Sequence, residues 1–93
     1  MIGSFGCRKT ERLFQRERVR EFANIVLVAL RRLASLDAAQ AGTDLLIPPS
    51  NRLEALSGDR KGQYSIRIND QYRICFTFRE GHAEDAEITK HYR

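Results

Sequence analysis

Two cysteines, Cys7 and Cys75, stand alone, without the close spacing of a disulfide framework or a zinc cluster, so neither a stapled secreted scaffold nor a structural zinc site is supported. Proline and glycine are scarce, at 2 and 6 residues, which removes the collagen-like and low-complexity disordered classes. No apolar run approaches the roughly 20 residues of a membrane span, and Met1–Cys7 lacks the apolar stretch of a secretory signal. The expectation is a cytoplasmic protein with no membrane partner. No glycine loop matches a phosphate-binding fingerprint: Gly58 and Gly62 flank Asp59, Arg60 and Lys61 with no helix to follow. Cys7, Cys75, His82 and His91 lack ligand spacing, so no metal and no cofactor is expected, and neither a serine triad nor a spaced Cys/His pair is visible. No repeat or linker interrupts the 93 residues, which predicts one domain over residues 1–93.

What is abundant is arginine. Lysine and arginine total 16 against 12 acidic residues, a net charge of +4, and 13 of the 16 cations are arginine. The planar guanidinium grips phosphate through two parallel hydrogen bonds and stacks on bases, whereas lysine acts as a point charge. An anionic partner, nucleic acid first, follows from that bias, although a basic surface alone also serves solubility.

The first half of the chain reads as helical. Arg8–Arg20 carries six cations around Leu13, Phe14 and Val19 and predicts a short charged helix after a starting strand at Met1–Phe5. Its cations suit a solvated helix face, or a secondary patch for ribosomal or messenger RNA. Phe22, Ile25, Val26, Ala29, Leu30, Leu33 and Leu36 are spaced by three and four, the stripe of a helix that ends near Ala41, with Asn24 as its cap or a break before it. Pro48 and Pro49 mark a connection containing at most a single turn at Asp44–Ile47. The period then changes to two. Tyr64, Ile66 and Ile68 alternate with Gln63, Ser65, Arg67 and Asn69, and Tyr72, Ile74, Phe76 and Phe78 alternate with Arg73, Cys75, Thr77 and Arg79, a hairpin turning at Asn69–Gln71. Ala83–Tyr92 predicts a further strand after a turn at Glu80–His82, and Arg52–Leu56 a last short one. The fold class is α+β, a small antiparallel sheet packed by N-terminal helices, with a wet face bearing Arg67 and Arg73.

Arg60, Lys61, Arg67, Arg73, Lys90, His91, Tyr92 and Arg93 hold the parts for RNA cleavage. Cutting a phosphodiester through its own 2′-hydroxyl needs a base, cations for the charged transition state and an acid for the leaving oxygen. His91 and Tyr92 are the proton carriers, and Arg67 and Arg73 can clamp one phosphate. Alternatively His91 caps a sheet end and Tyr92 packs on the core. If Ala86 and Ile88 face inward, Lys90 and Tyr92 share their side while Glu87, Thr89 and His91 join the arginine face, unless a bulge exchanges the roles.

The segment Asn51-Arg52-Leu53-Glu54-Ala55-Leu56-Ser57-Gly58-Asp59-Arg60, continued by Gly62-Gln63-Tyr64-Ser65-Ile66-Arg67-Ile68-Asn69-Asp70-Gln71-Tyr72-Arg73-Ile74-Cys75-Phe76, resembles the HigB toxins, plasmid-maintenance killer proteins of the RelE/ParE superfamily. The likeness extends through Leu33–Ala39 and Pro48-Pro49 to Ser4-Phe5. It implies the toxin of a type II toxin–antitoxin pair, a ribosome-dependent mRNA endonuclease that meets the ribosome with its 16S rRNA. It also implies a HigA-like helix-turn-helix antitoxin, through which alone operator DNA is contacted. On this resemblance Arg60, Arg67 and Arg73, with Gln71 in the same loop, match positions that hold RNA; Lys61, Lys90 and Arg93 are added from the basic cluster. Where some members carry His and Lys before Gly58, this chain has Glu54 and Ser57, leaving Glu54 as a candidate base. Members commonly finish Asp-Tyr-His, and Lys90-His91-Tyr92-Arg93 keeps both His91 and Tyr92 as proton carriers. A ParE-like poison of DNA gyrase and an inactive regulatory partner are the competing readings.

Overall fold

The computed structural model describes residues 1–90. The N-terminal residues run parallel to the last strand. Ile2 and Phe5 bridge Ala83 and Ala86, the Gly3 and Gly6 N–H groups donate to the Ala83 and Ala86 carbonyls at 2.7 and 3.0 Å, and the expected strand is therefore two isolated bridges. Its break has a local cause: Asp85 bulges at φ 55°, and a Cβ on Gly6 would lie 3.0 Å from the Asp85 carbonyl oxygen.

Helix α1 spans Arg8–Phe14 and stops well short of Arg20. The Arg16 N–H donates to the Leu13 carbonyl and the Glu17 N–H to the Arg12 carbonyl, both at 2.9 Å, with Arg16 at φ 69°. This pairing is a Schellman cap, for which glycine is the usual residue; arginine stands there instead, so composition carries no stop signal. A 3-10 turn at Arg20–Phe22 and a bend at Asn24 separate it from α2, Val26–Ala38, so Asn24 breaks the run and Ile25 occupies the N-cap. The stripe is otherwise as the spacing demands, with Ala29, Leu33 and Leu36 fully buried. Helix α2 ends three residues early because Ala39 turns extended and buries its methyl. The Asp44 carboxylate then accepts the Gln40 and Ala41 N–H groups, opening a 3-10 turn at Gly42–Leu46.

Four antiparallel strands follow in the order β1 (Glu54–Ala55), β2 (Tyr64–Arg67), β3 (Tyr72–Arg79) and β4 (His82–Lys90). The Asn69 side chain accepts the N–H groups of Gln71 and Tyr72 at 2.8 Å each, which closes the β2–β3 turn. The β3–β4 hairpin turns on Glu80 and Gly81, both at positive φ, the conformation whose twist suits paired strands. Ile66, Ile74, Phe76 and Ile88 from the sheet meet Leu33 and Leu36 from α2 in the core. The two edges are blunted differently: β1 is two residues long, and β4 is covered by residues 1–6.

The opposite face departs from expectation. Ser65, Arg73 and Cys75 are buried there; the 3-10 turn at Pro49–Asn51 packs on β2, and the Arg52 carbonyl and Glu54 close over Arg73. Tyr64, expected beside Ile66 in the core, lies near the short edge strand and is 41% exposed.

Candidate functional site

Directly opposed residues of an antiparallel ladder share a face. One row runs Glu54, Ser65, Cys75, Glu87 across all four strands, and the next runs Arg67, Arg73, Thr89. The face away from the helices therefore holds Glu54, Arg67 and Arg73 together, as alternation along β2 and β3 demands.

Two guanidiniums facing each other repel unless each is neutralised, and both are. Arg73 has its side chain only 9% exposed; its Nε donates to Ser65 Oγ at 2.7 Å, Nη2 to the Arg52 carbonyl at 3.0 Å, and Nη1 lies 3.5 Å from Glu54 Oε1. Arg67 pairs with Asp70, three residues on, in the turn. Its own carbonyl accepts Arg32 Nε from α2 at 3.0 Å, which pins the end of β2 to the helix. Arg60 closes a 3-10 turn at Gly58–Arg60 and reaches the same face: Nη1 donates to Gln63 Oε1 at 3.0 Å and Nη2 to Glu87 Oε1 at 3.3 Å.

The remaining sequence-derived candidates separate. Lys61 follows Arg60 and is exposed, and Gln71 is exposed at the tip of the β2–β3 turn. Lys90 stands opposite Tyr72, in line with Ile74 and Ile88, and so belongs to the helix-covered side and not to the arginine face, as the parity of Ala86 and Ile88 already implies. His91, Tyr92 and Arg93 lie outside the described residues. Sequence reasoning missed Ser65, Asp70 and Glu87 as partners of the arginines, although Ser65 and Glu87 share their strand parity and Asp70 is one turn away. Arg32 gave no local signal, because its contact joins residues 35 apart.

The first charged segment is organised separately. Lys9 pairs with Glu21 and Arg12 with Glu17. The hydrogen bond to the Glu21 carboxylate raises the Lys9 pKa, and its counterpart lowers that of Glu21. Among the described residues, no three His, Cys, Asp or Glu side chains converge in a way that would hold a metal ion, and no helix is long and apolar enough to cross a membrane.

What these elements can do chemically is to hold a phosphate: guanidiniums in a fixed array, on a rigid sheet, beside a carboxylate able to accept a proton. Comparison with known proteins agrees with the architecture. The chain is 51% identical over 61 residues to Toxin HigB-1 of Vibrio cholerae, covering 66% of this chain and 64% of that one, so the match spans a little under two thirds of the relative. It is 32% identical over 69 residues to an uncharacterized protein of Haemophilus influenzae, covering 74% and 68%. Two solved structures of the YoeB–YefM toxin–antitoxin complex from Staphylococcus aureus each contain a chain that superposes with a TM-score of 0.63 over 99% of both chains, at 25% and 22% identity. A family model described as the RelE-like toxin of the type II toxin–antitoxin system HigB matches residues 4–92, nearly the whole length, and the chain belongs to that HigB-like toxin family.

Proposed function

We propose that this toxin cuts messenger RNA in the translating ribosome, as a single domain acting in the cytoplasm without metal or cofactor. The observation that carries the reading is the shared sheet face that bears Arg60, Arg67 and Arg73 together with Glu54, which pairs with Arg73. In the reaction the 2′-oxygen of one nucleotide bonds to its own 3′-phosphorus and the bond to the 5′-oxygen of the next breaks, leaving a cyclic phosphate and a free 5′-hydroxyl. A base takes the 2′-hydroxyl proton and an acid delivers one to the departing oxygen. The nucleophile belongs to the substrate, so no step calls for a metal ion. Arg73, oriented in advance by Ser65 and the Arg52 carbonyl, stabilises charge on the phosphate. Arg67, Arg60, Lys61 and Gln71 hold the strand. Glu54 is the candidate base, and one of His91 and Tyr92 moves the other proton.

Dependence on the ribosome follows from how little the face offers to orient a flexible strand; pre-positioning of a substrate supplies several kcal/mol, on the order of 7–11, to a reaction of this kind. The partner in the cell is a HigA-like helix-turn-helix antitoxin, which carries the pair to operator DNA.

Brief induction followed by mapping of RNA 5′ ends tests the reading. New ends are expected within translated messages, phased with codons and accompanied by growth arrest, and lost in R73A and in the H91A/Y92A double variant. Intact messages together with trapped gyrase–DNA cleavage complexes would replace this function with gyrase poisoning.

A further inference from the structure

The helical side carries a surface that the RNA face does not use. Where the Schellman cap throws the chain out of α1, residues 16–19 lie across the start of α2 and leave a half-open groove of about 440 Å³. Leu13 and Val19 form its floor, with Ala23, Val26 and Leu30, spaced by three and four, as its wall. Arg16, Glu17 and Arg18 stand on the rim, with the Glu17 carboxylate held by Arg12. A second hollow, of about 430 Å³, adjoins it through Arg18 and Ala23 and is completed by Arg20. Thus an apolar slot opens directly onto a basic one, with Arg18 common to both.

The cations on this rim have no carboxylate partner among the described residues. Lys9 and Arg12 are paired with Glu21 and Glu17, whereas Arg16 donates only to the Phe14 carbonyl. The Arg18 and Arg20 side chains have no hydrogen-bond or ion-pair partner among the described residues. Nucleic acid is a poor occupant: no aromatic side chain lines either hollow to stack a base, and an apolar floor gives a phosphate nothing. A polypeptide that sets aliphatic side chains at helical spacing into the slot and carboxylates against the arginines satisfies both halves.

We propose that this groove is the docking surface for an acidic, amphipathic segment of the antitoxin. The proposal rests on the reading that the chain is a toxin held by such a partner. Docking there leaves the arginine face of the sheet uncovered by that segment, so the contact anchors the partner and blocking of RNA falls to the bulk it brings.

The test titrates purified cognate antitoxin against the full chain and three variants, R18E, A23E and R60A, each checked for an unchanged melting profile. Arg18 and Ala23 are exposed, so both substitutions leave the core intact. R18E and A23E are expected to weaken antitoxin binding about 30-fold or more, the scale of an interface hot spot, while still cleaving message on ribosomes as the parent does. R60A is expected to lower cleavage and bind antitoxin normally. Antitoxin affinity unchanged in both groove variants overturns the docking surface and leaves the partner standing. Failure of the parent chain to bind antitoxin at all overturns the partner, and the docking surface with it. Groove variants that lose ribosome-linked cleavage yet hold antitoxin tightly would mark the groove as an RNA surface instead.

Discussion

Arg73 keeps a full charge at 7% exposure, which is stable only because Ser65, the Arg52 carbonyl and Glu54 surround it. Removing it leaves two acceptors, Ser65 Oγ and the Arg52 carbonyl, without their donor and a carboxylate without its counter-ion. R73A should therefore cost about 1–3 kcal/mol in chemical denaturation, and cleavage on ribosomes should fall by about 100-fold or more, the scale of a lost transition-state donor. R73K separates the two effects: charge is retained and the fork is lost, so cleavage should remain low in ribosome assays. A lysine variant with parental cleavage would show that the fork is not what the phosphate requires. At Arg16 the backbone is left-handed, and R16G should raise stability, because glycine removes a penalty of about 1–2 kcal/mol at a net entropic cost of about half that. A rise of a few degrees in melting temperature is expected for a domain of this size. That the two arginines of β2 and β3 share a face was legible from their alternation with Ile66 and Ile74. The burial of Arg73 was not, since it depends on where residues 49–60 fold, and no period in the sequence encodes that.

Helix α2 is the element on which the site is mounted. Leu33 and Leu36 anchor it to Ile66 and Ile74, and Arg32, one residue from Leu33, holds the Arg67 carbonyl. The stripe that buries the helix was plain in the sequence because burial on one side imposes a period of 3.6. Its C-terminal end was not, because side chains without a periodic signal set it: the Asp44 carboxylate captures the Gln40 and Ala41 N–H groups just beyond α2, and Asp37 accepts the Ile2 N–H, 35 residues away, at 2.8 Å. L33A should destabilise by about 2–5 kcal/mol in urea titration, through lost burial and the cavity left behind. R32A removes two hydrogen bonds, a partly buried one to the Arg67 carbonyl and an exposed one to Ser50 Oγ, and should cost about 1–2 kcal/mol in the same titration. Its larger effect is expected on KM, since Arg67 loses the support of its backbone. An R32A enzyme with parental KM and depressed turnover would instead place Arg32 in the chemistry.

Across the whole molecule the net charge of +4 is not concentrated where RNA is proposed to bind. Arg60, Arg67 and Arg73 each face one carboxylate, from Glu87, Asp70 and Glu54 respectively, so these three ion pairs are neutral as sets. Such a face has weak attraction for free RNA, because an incoming phosphate must displace a carboxylate before it gains a guanidinium. The pairs differ in how readily they yield. The Asp70 side chain is 94% exposed, and exposed pairs are worth only about 0–1 kcal/mol; Glu87 is half-buried against a half-exposed Arg60, whereas Arg73 is itself buried and clamped on three sides. On the proposed function Arg67 and Arg60 are the exchangeable grips and Arg73 the fixed one. On that same function the ribosome would supply the driving force for exchange by presenting the message at high local concentration. Converting Asp70 and Glu87 to their amides, D70N/E87Q, preserves shape and frees two guanidiniums. Binding of this variant to single-stranded RNA without ribosomes should tighten, and the log–log dependence on salt should steepen by about 0.7 for each phosphate newly held. The same variant should gain measurable cleavage of free RNA while R73A, combined with it, abolishes that gain. If affinity and salt slope match those of the parent, the carboxylates are not competitors for the phosphate, and confinement of cleavage to the ribosome must come from geometry alone.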